Sequence, residues 1–392
     1  MLLGPDVLGV LRIDLESSTI RQLAELTLAL VLFTDASTID LDGLRRDAGI
    51  VGRLLGIGLL LTIAAGGLIA WLLFPEVPLA TALLIGAILA PTDAALGLPV
   101  VTNPAIPIRI RRVLNVESGL NDGIATPFVV LFISLATASR GAEGIHLAGA
   151  AEEIAIAIVA GAVVGAVGGL LLVAADRRKL TTELSRQIAV LALALGAYVV
   201  SLTLGGNGFI AAFVAGLAFG GVTRKGEENA EEFTEVAGIL LSIGVWLVFG
   251  ASLVGSLIFE AQDLRPIIYA ILSLTVIRMV PVAIALVGSR LALPTVAFVG
   301  WFGPRGLASI VFGILALDAL TESGGATDVL AATVGWTVLL SVVAHGLSAK
   351  PLAARYSRWI DRRQQTTDAQ MPELEERSEL QPSTRTTWSR RG

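Results

Sequence analysis

Long apolar segments alternate with short polar ones along most of the chain. Many of the apolar segments, such as residues 54–73 and 154–175, contain about 20 residues, the length that a helix needs to cross a bilayer. The pattern predicts about eleven membrane-spanning helices. They are expected at residues 19–35, 49–74, 78–101, 115–138, 150–175, 186–204, 207–222, 234–257, 266–289, 295–317 and 329–349. The sequence therefore predicts an all-α polytopic membrane protein.

Composition supports this assignment and removes several classes of function. Charged residues make up only 16% of the 392 residues and hydrophobic residues 54%, which is too little charge to cover a soluble protein. No cysteine occurs, so disulfides and thiolate metal sites are excluded. The sequence shows no basic surface that would indicate nucleic acid as a partner. The partner that we expect is the lipid bilayer.

Basic residues follow the odd-numbered spans and are scarce after the even-numbered ones. Those after the odd-numbered spans are Arg45, Arg46, Arg109, Arg111, Arg112, Arg177, Arg178, Lys179, Arg224, Lys225, Arg290, Lys350, Arg355 and Arg358. Since basic loops stay in the cytoplasm, this side is predicted to be cytoplasmic. We therefore expect a multi-pass protein of the plasma (inner) membrane, with the N-terminus outside and the C-terminus inside.

Two of the predicted spans contain a proline break. Residues 78–101 include Pro91-Thr92-Asp93, and residues 295–317 include Gly303-Pro304-Arg305-Gly306. Proline removes a helical hydrogen bond, and non-helical backbone is tolerated at membrane depth only where it is buried in protein or lines a cavity. The two spans run in opposite directions, because an odd number of crossings separates them. Such a pair is typical of inverted-repeat transporters with a binding site at the midplane.

The charged residue at each break has two interpretations. Asp93 either binds an ion directly or balances the positive end of a half-helix, and the two roles are compatible. Arg305 either lies near the negative end of a half-helix or packs with its charge extended towards the membrane surface.

The span at 115–138 opens with four polar residues. Ser118 and Asp122 are four residues apart and share a helix face, and Glu117 and Asn121 share the neighbouring face. Oxygen ligands of this kind suit hard cations. A charged side chain inside an apolar span needs a partner, and Arg278 in a later span is the candidate for Glu117.

Asp122 has no second basic partner that the spans obviously supply. A proton or a cation can neutralise this carboxylate, but not both at once. We therefore predict that Asp122 is the shared binding site of an exchanger. Asn121 carries no charge, so only one titrating group is left in this pair, which predicts electroneutral exchange of one cation for one proton.

The Pro91-Thr92-Asp93 break, the Glu117-Ser118-x-x-Asn121-Asp122 run and the Gly303-Pro304-Arg305-Gly306 break resemble, in order and spacing, the monovalent cation:proton antiporter-1 family of electroneutral sodium/proton exchangers. The resemblance covers residues 19–350. It implies a homodimer with a dimerisation domain and a six-helix core, and in that core two broken helices cross. The chain starts at what resembles the third span of the family, so the first one or two helices are expected to be missing.

The resemblance also implies roles for individual residues. Asp122 would alternately bind the cation and a proton, and Thr92 and Ser118 match positions that help to ligate the ion. The matches that support the site are Asp93 and Asn121 at the unwound region, Glu117 with Arg278 as a structural ion pair, and Arg305 as the arginine of the second break. No enzyme activity and no resident cofactor are implied.

The predicted function is exchange of a monovalent cation, sodium or else potassium or lithium, for protons. A cation channel that uses the same cavity is one alternative, and a transport-inactive, N-terminally truncated homologue is another. An intramembrane aspartyl protease that uses Asp93 and Asp122 lacks support, because no Gly-x-Gly-Asp stretch surrounds either residue.

The chain divides into a predicted transmembrane domain at 1–350 and a cytoplasmic tail at 351–392. The tail is rich in Gln, Thr, Glu, Ser and Arg, and such a composition predicts disorder. It is expected either to be a solvated extension or to regulate the transporter. His345, alone in the last span, is expected to be a hydrogen-bonded packing residue.

Overall fold

The computed structural model describes residues 17–39, 41–138, 147–223, 231–254, 257, 263–322, 327–366 and 372–374. These residues form helices and turns, and no strand occurs among them. Seven of the described helices are long and apolar enough to cross a membrane. Three shorter apolar helices accompany them, at Leu79–Ile88, Gly208–Thr223 and Leu307–Thr321. The all-α polytopic prediction is confirmed.

The first half of the chain contains the helix that carries most of the predicted polar site. In order, its helices are α1 (Ser18–Ser37), α2 (Leu41–Arg53), α3 (Leu59–Leu73), α4 (Leu79–Ile88), α5 (Leu98–Val101), α6 (Ile108–Ala138), α7 (Leu147–Arg177) and α8 (Glu183–Thr203). A π-helical turn at Leu54–Gly58 joins α2 to α3. The span predicted at 78–101 is interrupted between α4 and α5, as its proline indicated.

The second half contains the other broken helix. Its helices are α9 (Gly208–Thr223), α10 (Glu232–Val248), α11 (Arg265–Leu274), α12 (Val276–Ala285), α13 (Leu293–Trp301), α14 (Leu307–Glu322) and α15 (Asp328–Thr366), followed by a 3-10 turn at Pro372–Leu374. The span predicted at 266–289 deviates from helical geometry at Thr275, between α11 and α12. The expectation that helices are missing before the first span concerns residues 1–16, which lie outside the described residues.

Small residues join α7, α9 and α1 within a group of helices that also contains α8 and α10. Glycine lets two helix backbones touch, because a Cβ atom at the same position would collide with the neighbour. These contacts join Gly161 to Ala211, Gly165 to Ala215, Gly216 to Phe33 and Gly220 to Ser37. Helix α9 is therefore fixed between α7 and α1.

The remaining helices form a second group around a larger apolar core. This core takes in residues of α3, α4, α6, α12, α13, α14 and α15, together with one face of α1. Helix α4 lies against α3 with almost no side chain between them, since a Cβ atom on Gly86 would collide with the backbone of Ile63 and Gly67. Helix α1 thus lies between the two groups and contacts both.

Helix α15 extends past the point at which the sequence predicts the tail to begin. It continues to Thr366, and Ala353, Tyr356 and Ile360 are buried on one face of this extension, in line with Ala349 at the end of the predicted span. That spacing of four, three and four residues is the apolar stripe of a packed helix, which composition alone does not reveal. The structure therefore differs from the expected disorder over 351–366. Residues 375–392 lie outside the described residues.

Candidate functional site

The first helix break begins where α4 ends, at Ile88. Pro91 has no backbone N–H to donate, and the residue before a proline is disfavoured in helical geometry. The chain stays non-helical through Asp93 and turns into the short helix α5. The last carbonyl groups of α4 are therefore free to accept hydrogen bonds from other parts of the molecule.

The second break separates α13 from α14 and packs directly against the first. The backbone N–H of Asp93 donates to the carbonyl oxygen of Pro304 at 2.8 Å. Ser309 Oγ, in the first turn of α14, donates to the carbonyl oxygen of Ile88 at 2.8 Å. The two broken helices thus cross at their non-helical segments.

Each break supplies a charged side chain to the half-helix end of the other break. Asp93 Oδ2 accepts a hydrogen bond of 2.9 Å from the backbone N–H of Leu307, at the N-terminus of α14. Arg305 Nη1 donates to the carbonyl oxygens of Ala90 and Pro91 at 2.9 and 3.2 Å, beyond the C-terminus of α4. An anion is favourable at a helix N-terminus and a cation at a C-terminus, so these two reciprocal contacts stabilise both helix ends.

Three polar side chains connect the first break to α6. Thr92 Oγ1 lies 3.0 Å from Ser118 Oγ and accepts a hydrogen bond of 2.6 Å from Asn121 Nδ2. Asp122 follows directly on α6, four residues after Ser118, and is buried. Its Oδ1 atom has no hydrogen-bond partner among the described residues. Oxygen atoms with unused lone pairs therefore gather around the start of the break.

Glu117 and Arg278 form a two-bonded ion pair beside this cluster. Arg278 Nη1 and Nη2 lie 2.8 Å from Glu117 Oε1 and Oε2, and each side chain is only 2% exposed. Gly303 of the second break lies against the Arg278 guanidinium, where a Cβ atom would collide with it. The pair links α6 and α12 to the second break.

Among the site residues that the sequence predicted, the charges leave one carboxylate over. The carboxyl groups are those of Asp93, Glu117 and Asp122, and the guanidinium groups are those of Arg278 and Arg305. Glu117 is matched by Arg278, and Asp93 accepts from the backbone N–H groups of Ala95, Leu96 and Leu307. Of these three carboxyl groups, only that of Asp122 has a buried oxygen atom without a hydrogen-bond partner in the described part of the chain.

Sequence reasoning missed Ser341, which supports the crossing, and expected His345 only as a hydrogen-bonded packing residue, which it is. Ser341 Oγ on α15 accepts a hydrogen bond of 2.7 Å from the backbone N–H of Arg305. His345, one turn later, has its Nε2 atom 2.8 Å from the carbonyl oxygen of Trp301, at the end of α13. The spacing of four residues between Ser341 and His345 in an apolar span was the available signal.

Two further residues lie close to the Asp122 segment of α6. Pro127 has no N–H, so the carbonyl oxygen of Gly123, four residues earlier and next to Asp122, receives no helical hydrogen bond from it. The backbone of Asp35 on α1 faces Gly119 on α6, which brings a further carboxylate residue close to this segment.

The chain matches a known family over most of its length. The model of the family described as "Sodium/hydrogen exchanger, transmembrane" matches residues 1–355. The solved structure of the sodium proton antiporter MjNhaP1 from Methanocaldococcus jannaschii superposes with a TM-score of 0.73 at 21% sequence identity, covering 91% of this chain and 90% of that one. This similarity shows the fold.

Several curated relatives are similar to this chain over only part of their own length. A Na(+)/H(+) antiporter of Saccharomyces cerevisiae is 27% identical over 66% of this chain and 28% of its own length. The Na(+)/H(+) antiporter ApNhaP of Aphanothece halophytica is 25% identical over 88% and 67%. The K(+)/H(+) antiporter NhaP2 of a Shewanella strain is 26% identical over 81% and 55%. The chain spans 28% and 65% of the length of the two yeast antiporters that it matches, from Saccharomyces cerevisiae and Schizosaccharomyces pombe.

Proposed function

The chain belongs to the transmembrane sodium/hydrogen exchanger family, and on this basis we propose that it exchanges a monovalent cation for protons across the membrane, with Asp122 as the carboxylate that binds either one. Thr92 and Ser118 complete the proposed ion site with their hydroxyl oxygens. Sodium is the cation that we expect first, because the relatives from both yeasts and from Aphanothece are named for it.

The observation that carries the proposal is the unmatched carboxylate of Asp122. A buried carboxylate without a partner costs free energy, and one proton or one monovalent cation removes that cost. A proton and a cation then compete for the same oxygen atoms. Because Asn121 is uncharged and Glu117 is matched by Arg278, we expect the predicted site residues to exchange a single charge for a single charge, so that the cycle is electroneutral.

The hydrogen-bond chain next to Asp122 favours cation binding. Asn121 Nδ2 donates to Thr92 Oγ1, so the Thr92 hydroxyl has its own hydrogen left to donate towards Ser118. Ser118 then presents a hydroxyl on the same helix face as Asp122. Asn121 is in this account a positioning residue, which holds Thr92 in place without contacting the ion.

The crossing holds the proposed site as one rigid unit. Asp93, Arg305 and Ser309 tie the two breaks to each other through four hydrogen bonds with backbone groups. Transport then requires this second group of helices to move against the first group, so that Asp122 faces each side of the membrane in turn. Helix α1 lies at the interface between the two groups, where this movement would occur.

Burial of the site favours an exchanger over a channel. Thr92 and Asn121 are at most 1% exposed and Asp122 is 6% exposed, so among the described residues the site is buried in this conformation. The aspartyl protease alternative requires two free carboxyl groups. The Asp93 carboxylate is not free, because it already accepts hydrogen bonds from three backbone N–H groups.

The orientation of the protein, the membrane that contains it and its assembly are further parts of the proposed function. We expect the basic ends of α6 and α7 to face the cytoplasm, the protein to lie in the plasma (inner) membrane, and two copies to form a homodimer. Cross-linking in membranes and labelling of single cysteines from each side test these expectations. The native chain contains no cysteine, so each introduced thiol is the only one present.

Proton flux in vesicles tests the function directly. Vesicles with a preset pH gradient and a fluorescent pH indicator should show proton flux when sodium, potassium or lithium is added. Asp122→Asn should abolish this flux. Asp176→Asn is the matched control, because Asp176 forms an ion pair with Arg186 away from the site, at 35% and 25% side-chain exposure. Full activity of Asp122→Asn would overturn the assignment.

A further inference from the structure

An ion pair joins the two groups of helices at the end of the molecule opposite the basic loops. Arg21, in the first turn of α1, has Nη1 2.6 Å from Asp318 Oδ2 in the last turns of α14. Its Nε atom lies 2.9 Å from Glu25 Oε1, one turn further along α1. Tyr198 on α8 donates a hydrogen bond of 3.2 Å to the other oxygen of Glu25. The guanidinium therefore lies between a carboxylate of each helix group.

A cavity of about 300 Å³ lies directly behind this ion pair. Arg21, Glu25 and Asp318 line it together with Val129 and Ile133 of α6 and with Phe312 of α14. Val129 and Phe312 are each only 1% exposed, so they close its inner end.

The cavity lies against the face of α6 that carries the proposed ion site. Val129 follows Asp122 by seven residues, two helical turns, so the two side chains are on the same face and about 10 Å apart along the axis. Ile133 follows one turn later. A cation that enters at Arg21 would therefore meet Asp122 after passing two turns of a single helix.

The charges at the mouth suit an entering cation. Among the described residues, Glu25 and Asp318 are two carboxylates and Arg21 is one guanidinium, so these three side chains have one negative charge in excess. In this conformation the guanidinium occupies both carboxylates and bridges α1 to α14. Separation of α1 from α14 would release Asp318 and widen the cavity.

We propose that the Arg21–Asp318 ion pair is the latch that closes the outer access route to Asp122, and that the cavity behind it is the outer end of that route. The proposal rests on the proposed exchange function. Arg21 acts as a positioning residue that holds the outer end shut while the site faces the basic loops. The latch must open once in every transport cycle.

Chemical labelling tests the latch without measuring transport. Val129→Cys places one thiol at the inner end of the cavity of the full-length, otherwise cysteine-free protein. A membrane-impermeant thiol reagent added from the outer side should label it slowly while Arg21 is intact. Arg21→Gln should raise the labelling rate by about fivefold, the effect expected for loss of one partly exposed ion pair.

The matched control breaks an ion pair elsewhere. Arg186→Gln removes the Asp176 pair and should leave labelling of Val129→Cys unchanged. The reversed pair, Arg21→Asp with Asp318→Arg, should return labelling to the slow rate. Equal labelling with and without Arg21, or fast labelling in the reversed pair, would overturn the proposal.

A second measurement separates the latch from the function. A bifunctional thiol reagent that joins Arg21→Cys to Asp318→Cys should stop cation-dependent proton flux, and reduction of a cleavable linker should restore it. Flux that continues after complete cross-linking overturns the latch. Absence of flux in the unmodified protein overturns the proposed function instead, and the labelling of Val129→Cys then decides on the latch alone.

Discussion

Asp93 of the first helix break accepts a hydrogen bond from the backbone N–H of Leu307, the residue at which the helix after the second break begins. This contact runs between residues that are distant in the sequence and places a carboxylate at the positive end of α14. Arg305 makes the reciprocal contact to carbonyl oxygens beyond α4. The two breaks therefore stabilise each other, and the proposed ion site depends on both.

Removal of the Asp93 carboxylate should destabilise the crossing. Asp93→Ala leaves the N–H groups of Ala95, Leu96 and Leu307 without this acceptor, and loss of such a cap costs about 1–2 kcal/mol. Asp93→Asn keeps an acceptor oxygen and should lose less. The midpoint of thermal unfolding in detergent measures the difference. An Asp93→Ala midpoint equal to that of the native protein would contradict the capping role.

Gly306 should not tolerate a side chain. A Cβ atom at Gly306 would collide with the Asp93 carboxylate, so Gly306→Ala should weaken the cap and reduce cation-dependent proton flux. Gly346→Ala on α15 is the control, because open space surrounds that position. An alanine in a helix is favoured over glycine by about 1 kcal/mol, so Gly346→Ala should be neutral or stabilising. Similar behaviour of the two variants would show that the close approach at Gly306 is unimportant.

The Glu117–Arg278 pair should contribute to stability through both members together. Arg278→Met leaves Glu117 buried without its partner, which costs about 3–5 kcal/mol. The double variant Glu117→Leu with Arg278→Met removes both charges and should recover much of that loss. Unfolding of the native protein, the two single variants and the double variant forms a cycle. Additive losses would indicate that the two side chains do not act as a pair.

The turn after α15 should stabilise the start of α13. Glu373 is buried and accepts hydrogen bonds of 3.0 Å from the backbone N–H of Ala292 and from Thr295 Oγ1. Glu373→Ala should therefore lower stability by about 1 kcal/mol, as for loss of a helix cap. Asp361→Ala, at an exposed position of α15, is the control. Equal unfolding midpoints for the two variants would argue against this contact.

The positions of the breaks could be predicted from the sequence, but their mutual contacts could not. Pro91 and Pro304 interrupt apolar spans, so the loss of helical hydrogen bonds follows from residue type alone. The partner of Asp93 depends on the relative position of two distant helices. The Glu117–Arg278 contact is an intermediate case. Burial of a charge in an apolar span demands an opposite charge, and the predicted spans contain few basic residues that could supply it.

The start of the last helix could be predicted from the sequence, but its end could not. The apolar run at 329–349 predicts a span directly. The continuation to Thr366 depends on three buried residues, Ala353, Tyr356 and Ile360, among polar ones. The docking of Glu373 depends on the free N–H groups at the start of α13. Composition describes neither of these features, because both are properties of helix faces and helix ends.

Release of protons upon cation binding is the most direct test of the shared carboxylate. Purified protein in weakly buffered detergent solution, with a pH indicator, is titrated with sodium, potassium and lithium chloride. Each bound cation should displace one proton from Asp122. Asp122→Asn should release none, and Asp176→Asn should behave as the native protein. Cation binding without proton release by the native protein, or full release by Asp122→Asn, would contradict the role of Asp122 as the shared carboxylate.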